Sequence, residues 1–454
     1  MAFKTYNRLL YAKLESTEGT VNVPNDTAGY IETIEPTFTV TNRAYERNPT
    51  RLSITQPPMI VPGKGIAGGA SATAPSATVE FTFGVELSGS GTDTTAPAWS
   101  PLLEACGMAP HTVAKVAIDT PASLAATPCL LNAESLADGS GISTFAAGAT
   151  FGRCVGDTFR DDDLYYVKTG SETVADGFTI CGEITNGSPR FDADGASVDD
   201  SGTAWVFNPV TTALGGGDDS SLTIRLVYDN AGSSIEAVGC RGTVEFAFVS
   251  GDAVRMNFTF TGRLNGWETS ATGMGSPSAT TPNVPPAFIG SQVGIGESTY
   301  ASTGAAAITS SIFNSMTITL GNEVTVRENV AADSGYDVAY ITGRAPTMTF
   351  NPDAVDESTY GFWDRFLSGE SSRINLTVGT ATGNQFLFRM PAVQFSGIAD
   401  GNRDEVFIYD ATANLTGGDY GSSVQQAVDE STATATVQTD ARLGTNNEFV
   451  FFQL

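Results

Sequence analysis

The sequence feature that most limits the fold is an order of elements that occurs twice along the chain. In the first stretch, the segment ATVEFTFGVEL (77–87) alternates apolar and polar residues, and a Gly-Ser-rich loop leads from it to the helical segment AWSPLLEACG (98–107). In the second stretch, RAPTMTFNP (344–352) precedes the helical segment TYGFWDRFLSG (359–369). Because alternation puts every second side chain on one face of a strand, both stretches predict a strand followed by a short helix.

Each helical segment is followed, directly or after a long interval, by a predicted hairpin. The first hairpin covers 241–264 and turns at Gly251-Asp252, and the second covers 373–397 and turns at Gly383-Asn384. Gly, Asp and Asn adopt positive φ readily, which suits tight turns. Since the chain also has 49 glycines, 21 prolines and few segments with a helical period, we predict that it is mainly β.

The apolar residues of the two helical segments recur at i, i+3 and i+4, which is typical of a helix that covers one face of a sheet. The residues of this stripe are Trp99, Leu102 and Leu103 in the first segment, and Trp363, Phe366 and Leu367 in the second. We therefore expect both sets to be buried.

The interval between helix and hairpin divides the chain, because it is far longer in the first stretch than in the second. The excess indicates a domain-sized insertion in a loop, where added residues cost little stability. We predict a first unit of residues 1–109 and 236–285, an inserted β domain at 110–235, a second unit at 286–416 and a C-terminal extension at 417–454. The extension ends in the apolar segment FVFFQL (449–454), which we expect to pair with a sheet of this subunit or of a neighbour.

The charge balance excludes a general nucleic-acid-binding protein. Acidic residues outnumber basic ones, 50 to 23, and the formal net charge is -27, whereas duplex binding depends on Lys and Arg that neutralise phosphates. The cysteines are widely spaced and form no CxxC pair, so neither a zinc site nor a disulfide framework is indicated. Because no segment has the apolar length of a signal peptide or a membrane helix, we expect assembly in a cytoplasm.

No motif in the sequence predicts catalysis or cofactor binding. His111 is the only histidine, and no nucleophile or carboxylate can be assigned to it. The glycine-rich segment GKGIAGG (63–69) lacks the strand and helix of a dinucleotide site, and FDADG (191–195) lacks the ligand order of a calcium loop. We therefore predict no catalytic, cofactor-binding or metal-binding residues, and a protein that is not an enzyme.

Several segments resemble, in the same order, one family of phage structural proteins. The segments LLYAKLESTEGT, GYIETIEPTFTV and VEFTFGVELSGSGTDTTAPAWSPLLEACGM are similar to the N-terminal half of the tail tube (major tail) proteins of long-tailed bacteriophages. The segments RGTVEFAFVSGDAVRMNFTFTGRLNG, GNEVTVRENV and YITGRAPTMTF resemble the continuation of that family. The resemblance covers most of the chain outside the predicted insertion.

The resemblance implies two tandem tail-tube-type β-sandwich units, each with one short α-helix, in rings that stack into a tube. This tube conducts the genome into the host cell. The implied partners are other copies of the chain (in trimeric pseudo-hexameric or hexameric rings), other tail proteins at the tube ends, and transiting DNA without specific binding. The implied location is the virion tail, assembled in the host cytoplasm, without membrane insertion by this chain.

A tube that carries DNA needs an inner wall with few cations that bind phosphate. Outward strand positions between apolar residues, such as Glu80, Glu86 and Glu245, are therefore candidates for a lumen-facing acidic surface. The alternative interpretation is that the acidity only keeps the outer surface soluble or suits a saline habitat.

The alternative function is a β-sandwich adhesin or carbohydrate-binding protein of a tail tip or cell surface, because sandwiches carry binding sites on their loops. The aromatic residues of the predicted insertion that could stack on sugars are Tyr165, Tyr166, Trp205 and Phe207. Their alternation within strands favours core positions instead.

Overall fold

The computed structural model describes residues 8–42, 44–45, 59–60, 77–92, 95–115, 131–132, 150–151, 163–168, 178–185, 188–189, 202–209, 220–228, 233–268, 283–289, 293–297, 313–332, 335–357, 360–379, 381, 383–416, 426–429, 434–437 and 448–453. The chain is mainly β with large antiparallel sheets, as the sequence predicts.

The elements follow one another along the chain in three groups. The first group is β1 (Arg8–Leu14), β2 (Tyr30–Ile31), β3 (Ile34–Asn42), β4 (Ala44–Tyr45), β5 (Met59–Ile60), β6 (Ala77–Glu86) and α1 (Ser100–Glu104). The second is β7 (Met108–Lys115), β8 (Leu131–Asn132), β9 (Thr150–Phe151), β10 (Asp163–Lys168), β11 (Phe178–Thr185), β12 (Ser188–Pro189), β13 (Gly202–Pro209), β14 (Leu222–Tyr228), β15 (Ser233–Val249) and β16 (Arg255–Glu268). The third is β17 (Val293–Glu297), β18 (Ser315–Thr319), β19 (Asn322–Glu328), β20 (Tyr336–Arg344), β21 (Thr347–Phe350), α2 (Phe362–Ser368), β22 (Ser372–Val378), β23 (Phe386–Arg403), β24 (Val406–Leu415), β25 (Gln426–Asp429), β26 (Thr434–Val437) and β27 (Val450–Gln453).

The strands pair in the same antiparallel order twice. The first ladder is β1-β14-β15-β16-β6-β3, and the second ladder is β17-β22-β23-β24-β21-β18. Both have a register shift at the same place. Val238 to Arg241 in β15 lies against the shorter step Arg263 to Thr261 in β16, as Gln394 to Gly397 in β23 lies against Asn414 to Thr412 in β24. The pairing pattern of the first ladder therefore recurs in the second.

This pairing corrects two details of the sequence interpretation. Both predicted hairpins are present, but the hairpin that turns at Gly251-Asp252 corresponds in pairing order to β23–β24, which turns at Asp404 and Glu405 with positive φ. The strand Leu222–Tyr228, assigned from sequence to the inserted domain, pairs with β1 and belongs to the first ladder. Turn chemistry identifies a hairpin locally, whereas the partner of a strand is set by distant residues.

The two helices bury different kinds of surface. In α1 the prediction is confirmed, because its whole stripe is buried: Trp99, Leu102 and Leu103. In α2 the prediction of a buried stripe is wrong, because Trp363 is 40% exposed, Leu367 is 77% exposed and Phe366 is half-buried. The buried residues of α2 are Phe362 and Arg365. The guanidinium of Arg365 lies 4.8 Å over the ring of Tyr360, a cation–π contact that lets a charged residue take the inner face.

The C-terminal strand β27 pairs within its own chain, which is one of the two alternatives left open by the sequence. It pairs on one side with β13 of the predicted insertion and on the other with the start of β23. Its residue Phe451 is fully buried, and its ring stacks on Phe207 and Phe388 at centroid distances of 4.8 and 5.2 Å. The strand therefore links the predicted insertion to the second ladder through the core.

Candidate functional site: a polar wall and two open strand edges

In the part of the chain that the structure describes, one strand pair joins the two ladders into one sheet. Strand β15 of the first ladder pairs antiparallel with β18 of the second, along Glu245–Val249 and Ser315–Thr319. The joined sheet consequently has the order β3-β6-β16-β15-β18-β21-β24-β23, in which each neighbouring pair is antiparallel. Each ladder contributes four of the eight strands of the joined sheet.

One face of the joined sheet is core, and the other is polar. Buried positions such as Phe81, Phe246, Ile318 and Met348 alternate with positions that are exposed or half-buried. Residues directly opposite in a ladder share a face, so the register carries the polar face across all the strands. We call this face the polar wall; its polar residues include Thr37, Thr39, Thr41, Thr78, Glu80, Thr82, Glu86, Thr243, Glu245, Arg255, Asn257, Thr259, Thr261, Arg263, Thr317, Thr319, Thr347, Thr349, Gln394, Arg403, Asp410, Thr412 and Asn414.

The polar wall is continuous across the join between the ladders. One row of directly opposite residues runs from β6 to β23 through Gly84, Asn257, Glu245, Thr319, Thr347, Asn414 and Gln394. Most residues of the wall are threonine, whose branched side chain suits a strand and whose hydroxyl is uncharged. The surface along this row is therefore made largely of hydroxyl and amide groups, and the β19–β20 hairpin contacts one end of it, where the amide of Asn322 donates a hydrogen bond of 3.1 Å to Thr243.

The structure brings the three acidic residues proposed from sequence onto this one face. Glu80 and Glu86 are exposed and Glu245 is half-buried, and the side-chain Nδ2 of Asn257 donates a hydrogen bond of 3.1 Å to Glu245. Arg255 lies opposite Glu86 in the register, and two further arginines share the face: Arg263, opposite Thr78, donates hydrogen bonds to the carbonyl oxygens of Gly19 and Tyr336, and Arg403 is paired with Asp353. With carboxylates in excess, this face offers no array of cations for phosphate groups.

Both ends of the joined sheet are open strand edges. Among the described residues, β3 pairs with β6 alone, and the part of β23 from Gly397 to Arg403 pairs with β24 alone. The carbonyl oxygen of Pro36, near the start of β3, accepts a hydrogen bond of 2.7 Å from Arg8. An open edge presents backbone N–H and C=O groups to another strand, so both ends can extend the sheet by pairing with a further chain.

Other residues singled out from the sequence do not form a site in the described part of the chain. His111 lies in β7 opposite Val206, and the segments 63–69 and 191–195 lie outside the described residues. Within the described residues, no group of three or more His, Cys, Asp or Glu could hold a metal ion.

The aromatic residues considered for sugar binding are placed in strands. Tyr165 and Tyr166 lie in β10. Phe207 is fully buried and Trp205 is partly buried against the core, and the ring of Trp99 lies 5.2 Å from that of Phe207. The core interpretation is confirmed for Phe207, which is therefore not available to stack on a sugar.

Two cysteines, Cys106 and Cys240, are buried free thiols in the core. Burial raises the pKa of both thiols well above the ordinary value, because the thiolate loses its hydration. Neither thiol therefore has the lowered pKa of a reactive cysteine.

No protein-family model matches the chain, and no curated protein matches it. None of the helices in the described part of the chain is long and apolar enough to cross a membrane. The features that define this site are thus its own geometry: a polar wall on a joined sheet, with an open strand edge at each end.

Proposed function

We propose that this chain is the structural subunit of a bacteriophage tail tube, which polymerises as stacked rings into the conduit for genome delivery. The observation that carries the proposal is the joined sheet. The contact β15–β18 links the ladders within one chain, and the corresponding edges, on β23 and β3, are open. If β23 of one copy pairs with β3 of the next, the sheet continues from copy to copy, and such a head-to-tail contact can close into a ring.

The internal contact defines which residues of β23 would take part. In the β15–β18 pair, Glu245 lies opposite Thr319 and Ala247 lies opposite Thr317. Ala247 is the last paired residue before the turn of its hairpin, as Arg403 is in β23. Two residues before Ala247 in β15 is Glu245, and two residues before Arg403 in β23 is Gly401, so Glu245 corresponds to Gly401.

The partners on β3 follow from the shared register shift. On the turn side of that shift, Thr261 faces Glu80, which faces Thr39. At the same point of the second ladder, Thr412 faces Thr349, which faces Thr317. Thr39 and Thr41 therefore correspond to Thr317 and Thr319. The contact between copies would place Thr41 opposite Gly401, and Thr39 opposite Arg403.

The stoichiometry follows from two ladders per chain. We take the ladders as the two tandem tail-tube-type units, so three copies would supply a sixfold wall. A ring of six chains is the alternative, and the mass of the purified ring distinguishes the two. Other tail proteins would bind the open ends of the stack in the virion tail, after assembly in the host cytoplasm.

The polar wall would face the lumen of such a tube. Duplex binding requires cations that replace the counterions of the phosphates. The wall has four carboxylates, on Glu80, Glu86, Glu245 and Asp410, against the guanidinium groups of Arg255, Arg263 and Arg403. Of these, Arg263 is hydrogen-bonded to backbone carbonyl oxygens and Arg403 is paired with Asp353, so they are engaged within the chain. DNA would therefore pass without specific binding.

The experiment that tests the proposal is a disulfide across the expected contact. A T41C/G401C double variant, made with Cys129, Cys154 and Cys181 replaced by Ser, should form covalent dimers and closed rings on mild oxidation. The corresponding pair within the chain, E245C/T319C, is the matched control and should form only an intramolecular disulfide. A double variant that stays monomeric under conditions in which the control oxidises would refute the pairing of β3 with β23.

Single variants T41C and G401C provide the second control. Each should form at most a symmetrical dimer, because only the double variant carries both halves of a head-to-tail contact. An added Cβ at Gly401 would lie 2.9 Å from Oδ2 of Asp410 and from Cγ1 of Ile408, so these side chains must shift to accept a cysteine at this position. Circular dichroism and thermal unfolding of G401C, compared with the wild type, show whether the fold is retained. Negative-stain microscopy of the wild type should show rings or tubes.

A further inference from the structure

The second ladder exposes an apolar surface that has no counterpart in the first. Among the described residues it consists of Trp363 and Leu367 on one face of α2 and Val406 and Phe407 at the start of β24, which are 40, 77, 49 and 52% exposed, respectively. Tyr409 connects the two parts, because its ring lies 6.1 Å from Trp363 and 5.4 Å from Phe407. We call these four exposed residues the α2 patch.

The register shows what the same position does in the first ladder. Phe407 is the second residue of β24 after the hairpin turn and lies opposite Asn402, as Met256 is the second residue of β16 and lies opposite Phe246. Yet Met256 is fully buried. The difference is that Phe246 is covered by the second half of the chain, with Phe388 of β23 at a centroid distance of 5.6 Å.

Helix α1 and the loop before it are covered from the same side. Trp99 lies 6.3 Å from Phe386 of β23, and the amide of Gly89 donates a hydrogen bond of 2.7 Å to Asn384 in the β22–β23 turn. The second ladder thus contributes its β22–β23 hairpin to the cover of Trp99 and α1, beside Phe207 of β13 and Phe451 of β27, whose rings lie 5.2 and 5.9 Å from Trp99. No described element covers the α2 patch in the same way.

The element of the first ladder that corresponds to β22–β23 is the hairpin β14–β15. The closing pair Tyr228–Ser233 corresponds to Val378–Phe386. Beside it, Trp267 is 50% exposed, lies opposite Ile235 in the register and stacks on Tyr228 at a centroid distance of 5.6 Å. We call Trp267, Tyr228 and the adjoining end of β14–β15 the Trp267 face.

We infer that the α2 patch of one copy packs against the Trp267 face of the next copy, in the position that β22–β23 takes over α1 within the chain. The occupant of the α2 patch is therefore a second copy of this chain. The inference rests on the proposed ring, because the same step that brings β3 to β23 brings β14–β15 to α2. It adds an apolar contact, anchored by two tryptophans, to the backbone pairing; exposed aromatic anchors of this kind commonly dominate the energy of an interface.

The test uses two charge substitutions, F407E and W267E, each on one side of the contact. V330E is the matched control, because Val330 is a fully exposed apolar residue on the turn between β19 and β20. Each contact between identical copies of F407E or of W267E contains one damaged face, so both variants should sediment as monomers. V330E should form rings like the wild type.

Mixing the two variants makes the test specific for a head-to-tail contact. A W267E chain keeps an intact α2 patch and an F407E chain keeps an intact Trp267 face, so the equimolar mixture should form heterodimers and go no further. Sedimentation velocity measures this directly, and unchanged thermal unfolding of the monomers shows that both variants are folded.

Each other outcome overturns the inference in a distinguishable way. Rings formed by F407E or W267E, while T41C/G401C still cross-links, would show that copies associate but that these surfaces do not meet. Rings that no longer stack into tubes would place the patch between rings. A mixture that stays monomeric would show that the two surfaces are not partners. A wild type without oligomers or cross-links would refute the ring itself.

Discussion

Replacement of Phe451 by Ala tests whether the C-terminal strand belongs to the core of its own chain. The Phe451 side chain is fully buried. Its aromatic neighbours and their centroid distances are Phe207 at 4.8 Å, Phe388 at 5.2 Å, Phe246 at 5.4 Å and Trp99 at 5.9 Å. These neighbours come from β13, from both ladders and from the residue that precedes α1, so the substitution opens a cavity where all of these parts meet.

The expected cost is large because the surrounding strands cannot close on the cavity. Truncation of a buried Phe to Ala costs about 3–5 kcal/mol, and each aromatic pair adds about 0.5–1.5 kcal/mol beyond the buried area. We therefore expect the free energy of unfolding to fall by about 4–5 kcal/mol, in the upper half of the usual range for Phe to Ala. Urea unfolding of the unassembled chain, followed by tryptophan emission, measures this change.

F407A is the matched control, because Phe407 is 52% exposed in the single chain. Its cost should stay below about 1 kcal/mol in the absence of assembly. If F451A also costs less than about 1 kcal/mol, the reasoning is refuted, and the terminal strand pairs with a neighbouring subunit in solution rather than with its own chain.

Two further predictions concern the core around β15. G239A should lower the free energy of unfolding by about 1–3 kcal/mol and speed amide exchange in β20, because Gly239 has φ +63° and an added Cβ would lie 2.6 Å from Cγ1 of Val338. G266A is the control, since nothing lies within 4 Å of a Cβ added there, and it should change amide exchange in β20 little. Equal effects of the two variants would contradict the docking of β20 on β15. The free energy of unfolding should decrease as the pH rises above about 9, the ordinary thiol pKa, because burial raises the folded pKa of Cys106 and Cys240 while the unfolded thiols ionise. Ionisation of the unfolded Tyr228 adds to the decrease above pH 10.0, since burial raises its folded pKa to about 12. Guanidinium unfolding between pH 7 and 11 on wild type and C240A should show a shallower decrease in the variant, and a pH-independent wild type would contradict the burial of these groups.

Several of the individual strands could be predicted from the sequence, because their signal is local. The alternation of Val244, Phe246 and Phe248 specifies a buried face, and the structure buries all of these side chains. The turn residues Gly251-Asp252 likewise locate a hairpin without knowledge of the rest of the chain. The fold class and the positions of these strands therefore follow from the alternation of apolar residues and from the turn residues.

The joined sheet could not be predicted in the same way. The pair β15–β18 connects Glu245 to Thr319 across a long interval of chain, and alternation within a strand says nothing about its neighbours. The same limit explains why Glu80, Glu86 and Glu245 were outward positions without a common face until the register placed them on one. The repeated threonines in segments such as EFTF, NFTFT and SMTIT were a signal for the polar wall, but only alignment of these segments across the sheet makes it interpretable.

Helix α2 shows a different limit, in which the residue types themselves mislead. The hydropathy pattern selects Trp363 and Leu367 for the core, whereas the structure buries Phe362 and Arg365. An arginine can take an inner position when its guanidinium stacks on a ring such as Tyr360. On the proposed assembly, the exposed Trp363 and Leu367 meet a neighbouring copy, so their apolar character serves the contact between chains.

The recurrence of one pairing pattern gives a physical reason why copies in the proposed ring would assemble in a defined register. The contact β15–β18 exists within every folded copy, so half of the contacts of the proposed ring form at the high effective concentration of one chain. The remaining half, between β23 and β3, repeats the same geometry and needs no second kind of surface. The symmetry is broken where β13 and β27 cover Trp99 and leave α2 without an equivalent cover. Each chain forms the β15–β18 contact internally and carries the two partners of the next contact, β3 and β23, at opposite ends of its joined sheet. Because β3 of one chain would pair with β23 of another, a chain can add only in the same orientation. That orientation keeps the polar wall on one side of every joined sheet, which is the condition for a continuous lumen.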